Sequence, residues 1–244
     1  MQTGGKTVFG AAIGILMLET RFPRIYGDMG NAATWPFPVH YRVVRGASPG
    51  KVVRGDPKDL LDVFIEAGRD LIATGADGIT TNCGFLALVQ DELRAALGVP
   101  VATSSLMQVP MVQTLLPPGK KTVVLTISKA TLTNAHLIAA NVPLDTPVYG
   151  TDNGRAFTRD ILNDAPEIDI DECRQDMLDA ADEIMANEPD AGAIVLECTN
   201  MVPYAADLRK RTGLPVSSIY SMVEWFHAGL LPRKFPLELD DPRG

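Results

Sequence analysis

Clustered positive charge is what this chain most clearly lacks. Its 244 residues carry 22 Lys and Arg against 30 Asp and Glu, a formal charge of −8, and no basic stripe interrupts the balance. Binding to nucleic acid or to an anionic membrane surface draws mainly on clustered cations that neutralise phosphates, so neither is expected as a partner. Long apolar runs are missing too. The longest, Val8 to Leu18, falls short of the roughly 20 residues that a spanning helix needs and runs directly into Glu19 and Arg21. No Ala-x-Ala-like cleavage site follows it, so a buried first strand is the better reading than a signal peptide. Cysteine is sparse: Cys83, Cys173 and Cys198 form no Cys-x-x-Cys pair. That excludes a disulfide framework and a structural zinc site, and the expected compartment is the reducing cytoplasm. No phosphate-binding glycine pattern is present, which disfavours a nucleotide enzyme. Histidine is limited to three, and Glu224 with His227, one turn apart, has no further ligand to make a metal site. His40 and His136 read as structural.

What is present is a pattern used twice. Ala76-Asp77-Gly78-Ile79-Thr80-Thr81-Asn82-Cys83-Gly84-Phe85 corresponds to Ala191-Gly192-Ala193-Ile194-Val195-Leu196-Glu197-Cys198-Thr199-Asn200, at a separation of 115 positions (198 less 83). The same offset aligns Gly98-Val99-Pro100-Val101 with Gly213-Leu214-Pro215-Val216, and pairs Leu93 with Leu208, Arg94 with Arg209 and Met107 with Met222. Shared glycine and proline fix backbone geometry, so the segments read as two copies of a strand, cysteine, helix, turn, strand unit.

Apolar residues at 46% and charged residues at 21% are ordinary for a globular chain of this length. Strands are expected at 8–18, 78–82, 122–127, 193–197 and 215–219. Helices are expected at 57–74, 85–97, 130–140, 158–162, 171–187, 202–212 and 221–229. Alternation of this kind predicts an α/β fold: two pseudo-symmetric α/β domains, each a mainly parallel sheet flanked by helices, with the active site in the cleft between them. The boundary falls at Pro117-Pro118-Gly119-Lys120. Residues 1–117 then form an N-terminal half carrying Cys83, and 118–220 a C-terminal half carrying Cys198. Residues 221–244 form a helix and tail that pack back on the N-terminal half. Cys173 lies on the apolar stripe of its helix and reads as a core thiol. Gly27 to Asn31 reads as a substrate loop or a simple turn, and Trp35-Pro36-Phe37-Pro38-Val39 as a pocket wall or, more commonly, a segment docked on the core.

Cys83 and Cys198 each stand where a strand ends and a helix begins, the place where open α/β sheets bind ligands. A helix N-terminus beside each thiol is expected to lower its pKa toward neutrality. Two such thiols across a cleft make an acid and base pair. The N–H groups of Gly84, Phe85, Thr199 and Asn200 are available to hold a carboxylate and stabilise an enolate.

Thr81-Asn82-Cys83-Gly84-Phe85 with Glu197-Cys198-Thr199-Asn200-Met201 resembles the two cysteine motifs of the aspartate/glutamate racemase superfamily, over nearly the whole chain and including the duplication. The resemblance implies a cofactor-independent enzyme with Cys83 and Cys198 as catalytic thiols. It implies a small carboxylic-acid substrate held by Asn82, Gly84, Phe85, Thr199 and Asn200 with Thr126 and Ser128, and a homo-oligomer, dimer or larger. The primary expectation is a racemase or epimerase that moves a proton α to a carboxylate. The amino-acid racemases follow the first cysteine with Asn-Thr, where this chain has Gly84-Phe85. That departure keeps a second reading open: a lyase acting by β-elimination, like the dimethylsulfoniopropionate lyases of the superfamily, or a maleate-type cis/trans isomerase. A non-catalytic small-acid binding protein is the third.

Overall fold

The computed structural model describes residues 3–235. Two four-stranded, all-parallel sheets follow one another along the chain. The first contains β1 (Ile13–Leu18), β2 (Val39–Val44), β3 (Gly78–Thr81) and β4 (Val101–Ala102) in the order β2-β1-β3-β4. The second contains β5 (Lys121–Thr126), β6 (Val148–Gly150), β7 (Ala191–Leu196) and β8 (Val216–Ser217) in the order β6-β5-β7-β8. The repeat extends to register. Ile79 pairs with Val101 in the first sheet and Ile194 with Val216 in the second, so both partners keep the 115-residue offset. Gly98 and Gly213 close equivalent helices at φ 68° and 72°, a left-handed conformation that glycine adopts without steric cost.

Parallel sheets are stable only when both faces are covered. Strand β1 is buried along its full length. Helix Leu61–Thr74 covers part of the first sheet with Phe64, Ala67 and Leu71, and helix Ile170–Asn187 does the same for the second sheet with Cys173, Met177, Ala181 and Ile184. The opposite face of the first sheet, with Ile13, Ile15, Met17 and Ala102, is covered by Ile219, Met222 and Val223 of helix Ile219–Leu230. The remainder of the expected tail, 236–244, lies outside the described residues.

Several boundaries differ from the sequence reading. The apolar run before Leu18 enters β1 only at Ile13, because Gly10 turns the chain at φ 91° and Val8 and Phe9 stay exposed. The helices expected to follow the cysteines each begin as a 3₁₀ segment, Gly84–Val89 and Thr199–Tyr204, before helices Gln90–Leu97 and Ala205–Thr212. Ile219 belongs to the last helix rather than to a strand. Edge strands β2 and β6 lie outside the expected set, since half-exposed strands such as Val39–Val44 lack a continuous apolar run. The Trp35 segment docks on the core: the Trp35 indole N–H donates to the Tyr41 hydroxyl at 3.0 Å and its ring stacks on Tyr220. No helix among the described residues is long and apolar enough to cross a membrane.

Candidate active site

The carboxyl ends of the four central strands converge on one narrow cleft. Leu18 ends β1, Asn82 and Cys83 follow β3, Ile127 follows β5, and Glu197 and Cys198 follow β7; all of them line it. Thr20, Phe22 and Arg24 enter from the loop after β1, Pro49 and Val53 from helix Pro49–Arg54, and Ile161 and Leu162 from helix Phe157–Leu162. That last helix is fixed by Asp176, a fully buried carboxylate that accepts the N–H groups of Arg155, Ala156 and Phe157 at 2.7, 2.9 and 2.8 Å.

Both thiols are buried, and no disulfide joins them. Of the other residues expected at the site, Asn82, Gly84, Phe85 and Asn200 line the cleft, whereas Thr126, Ser128 and Thr199 do not. Their hydroxyls are used for construction. Thr126 donates to Glu197 Oε2 at 2.7 Å, Ser128 to Asp152 at 2.9 Å, and Thr199 to the Asn82 carbonyl at 2.6 Å, a bond that ties the two halves together. The Asn82 side chain accepts the Leu18 N–H at 2.7 Å. Cys173 lies away from the cleft in the core.

The expectation that helix N-termini bring the thiols toward neutrality is overturned. Burial pushes Cys83 up to about 12, with the Glu197 charge acting in the same direction and the N–H groups of Phe85 and Leu86 and the charge of Arg24 opposing. Cys198 is pushed well above the usual thiol range by burial and by Glu197, Cys83 and Asp28, against only the Asn200 N–H. Desolvation of a closed cleft outweighs the partial charge at the start of a six-residue 3₁₀ segment. Both cysteines rest as neutral thiols, with the N–H groups of Phe85 and Leu86 and the charge of Arg24 favouring ionisation at Cys83 and the Asn200 N–H favouring it at Cys198.

Three residues at or beside the cleft, Arg24, Asp28 and Glu197, are not among the candidate site residues read from the sequence. Arg24 brings a guanidinium to the wall, held by Asp28 at 3.0 Å and Thr20 at 2.8 Å. Asp28, within the Gly27 to Asn31 loop, also accepts the Asn200 amide at 2.7 Å, and the Asn200 oxygen lies 3.7 Å from Cys198 Sγ. That loop is therefore a brace for Arg24 and Asn200. Glu197, the neighbour of Cys198, is fully buried at the cleft; its Oε1 has no hydrogen-bond partner. A glutamate ending the apolar run Ala193-Ile194-Val195-Leu196 was the signal available for it.

Gly84 explains its own departure from the racemase-type motif. A Cβ there would collide with Glu197 Oε1 and the Glu197 carbonyl oxygen, and would stand 2.9 Å from the carboxyl carbon. Since one obstacle is main chain, Gly84→Ala is expected to displace the end of β7, lowering stability by about 1–3 kcal/mol in urea unfolding and reducing turnover with it.

No family model matches the chain. It is 26% identical over 235 residues, 91% of the chain and 75% of the relative, to a dimethylsulfoniopropionate lyase of Durusdinium sp. clade D. It is 28% identical over 231 residues, 90% of the chain and 67% of the relative, to dimethylsulfoniopropionate lyase 7 of Emiliania huxleyi. Among solved structures, the allantoin racemase of Klebsiella pneumoniae superposes with a TM-score of 0.60 at 16% identity, covering 94% of the chain and 97% of that protein. A variant of arylmalonate decarboxylase associated with a sulfate ion gives 0.58 at 16% identity, covering 89% and 92%. A glutamate racemase of Bacillus anthracis gives 0.56 at 17%, covering 91% and 84%.

Proposed function

We propose that this chain, which has the fold of the aspartate/glutamate racemase superfamily, is a β-eliminating lyase acting on a small carboxylate with a sulfonium at its β-carbon, dimethylsulfoniopropionate being the type case. The observation that carries the reading is the convergence of two thiols and one guanidinium on a cleft walled otherwise mainly by apolar side chains. Arg24 uses two of its five N–H donors on Asp28 and Thr20, leaving others for a substrate carboxylate. Sulfonium methyl groups are apolar and carry diffuse positive charge, which suits Phe85, Ile127, Ile161 and Leu162 beside the Glu197 carboxyl.

In this reading the Cys83 thiolate takes the proton from the carbon next to the carboxylate. The C–H electron pair becomes the new C=C bond, the C–S bond breaks toward sulfur, and a neutral sulfide leaves. Negative charge growing on the carboxylate in the transition state is met by Arg24, fixed in advance by its two partners. Because the leaving group departs neutral, no acid is needed on the opposite face. Burial makes the thiolate scarce but strongly basic once formed, as removal of a carbon-bound proton requires.

Incubation with dimethylsulfoniopropionate is expected to release dimethyl sulfide and acrylate in equal amounts, measured by gas chromatography and proton NMR. Absence of an alkene product from any β-sulfonium acid sinks the reading. One observation favours two-base racemisation instead: both cysteines survive at equivalent positions and both face the cleft. That alternative gives deuterium uptake at the α-carbon and loss of optical rotation with no alkene.

A further inference from the structure

A neutral thiol must lose its proton before it can act as a base, and one carboxyl, that of Glu197, lines the same cleft, with neither sulfur hydrogen-bonded to it at rest. Glu197 is next in sequence to Cys198, and its Oε1 occupies the space where a Cβ on Gly84, next to Cys83, would stand. Its Oε2 is occupied by the Thr126 hydroxyl, while Oε1 is buried with nothing bound to it, in a wall of the cavity that holds both sulfurs. Strand β5 presents only the Thr126 hydroxyl and the Ile127 N–H to this carboxyl. Ser105 donates to the Glu197 main-chain carbonyl, not to its carboxyl. The charged and titratable groups that share the cleft wall with it are Cys83 from the β3 side, Cys198 on its own segment, and Arg24 from the loop after β1, with Asp28 held behind Arg24 and Asn200.

We propose that Glu197 is the proton acceptor for the thiols: the base forms when a proton passes from sulfur to the Glu197 carboxyl, so one negative charge moves within the closed cleft instead of a second being created there. The S–H bond breaks and an O–H bond forms on Oε1. The carboxylate and thiol become a carboxylic acid and a thiolate, with no net charge change and no outside reactant. After the thiolate has taken a substrate proton, the acid loses its own to solvent and the resting state returns. Glu197 exchanges its proton with sulfur and not with the reacting carbon, so for the proton transfer it acts through the thiol.

The charges support this exchange. Ionised Glu197 opposes ionisation of both thiols, and burial pushes its own ionisation up to about 7, against the pull of Thr126 and Ile127. Below about pH 7 Glu197 already holds a proton and is no acceptor; above it the acceptor is present and the internal transfer is independent of pH. The inference rests on the elimination reading only for which reaction the thiolate serves.

The test is the rate of iodoacetamide alkylation of Cys83 and Cys198, followed site by site by mass spectrometry from pH 5.5 to 9 on the intact protein. No substrate is needed, so a wrong substrate class leaves the result readable, and failure of lyase activity is scored separately. In the native protein the rate is expected to rise about tenfold per pH unit up to about 7 and then level off. In Glu197→Gln, which keeps an acceptor for Thr126, the levelling is expected to vanish and the rate to climb through the whole range. A merely structural role would change the amplitude and leave the inflection. If Glu197→Gln does not fold, Thr126→Val removes a hydrogen bond to the charged form and is expected to move the inflection up by roughly one pH unit. A native profile without an inflection near 7 overturns the proposal, as does an inflection that persists in Glu197→Gln or stays fixed in Thr126→Val.

Discussion

Cys83→Ser lowers kcat about a thousandfold or more, while Cys198→Ser keeps at least roughly a tenth of it: this is the expected outcome of steady-state assays on the two variants. Serine preserves the size of the side chain but replaces a thiol by a hydroxyl that ionises far less readily, so the loss at Cys83 is the loss of the base. The asymmetry follows from what surrounds each sulfur. Two main-chain N–H groups and Arg24 favour the Cys83 thiolate, whereas Cys198 has one N–H group and faces Asp28. Departure of a neutral sulfide leaves the second thiol without a proton to deliver. Equal collapse of both variants would favour the two-base racemisation reading, and the reverse order would show that Cys198 is the base.

The second large effect is expected at Arg24. Arg24→Gln should lower kcat/KM for a carboxylate substrate by about a hundredfold or more, since it removes the charged partner of a desolvated carboxylate. The same change also strips Asp28 of its ion pair, so a loss of activity alone is ambiguous. An amide analogue of the substrate separates the two causes. If Arg24 holds the carboxylate, the variant loses little further activity on the neutral amide; if it only braces Asp28 and Asn200, both substrates suffer alike. Arg24→Lys is expected to recover a minor part of the loss, because one ammonium cannot reach Asp28, Thr20 and a substrate in the planar geometry of a guanidinium.

The frame of this site was legible in the sequence because duplication made it so. A single cysteine at a strand end says little, but Cys83 and Cys198 stand at one offset with the glycines and prolines that set the following turns, and the two sheets share order and register. The chemistry was less legible, for two reasons. Desolvation depends on how tightly two distant halves close, so the sign of the thiol shift could not be read from a helix start. Arg24 and Asp28 sit in an irregular loop whose path only tertiary contacts define, and an isolated Arg among 22 cations carries no mark. Thr126 and Ser128 show the converse error: hydroxyls at a strand end look available to a ligand until Glu197 and Asp152 are found holding them.

The last helix has a consequence for biosynthesis. Ile13, Ile15 and Met17 emerge early from the ribosome, but their cover, Ile219, Met222 and Val223, is translated some two hundred residues later. Until then that face of the first sheet is covered only in part, by Met29 and Trp35, and contacts of such sequence separation close slowly. The N-terminal half is therefore made as a client that needs shelter, and a nascent chain stalled before Ile219 should engage chaperones that a chain extended past Leu230 releases.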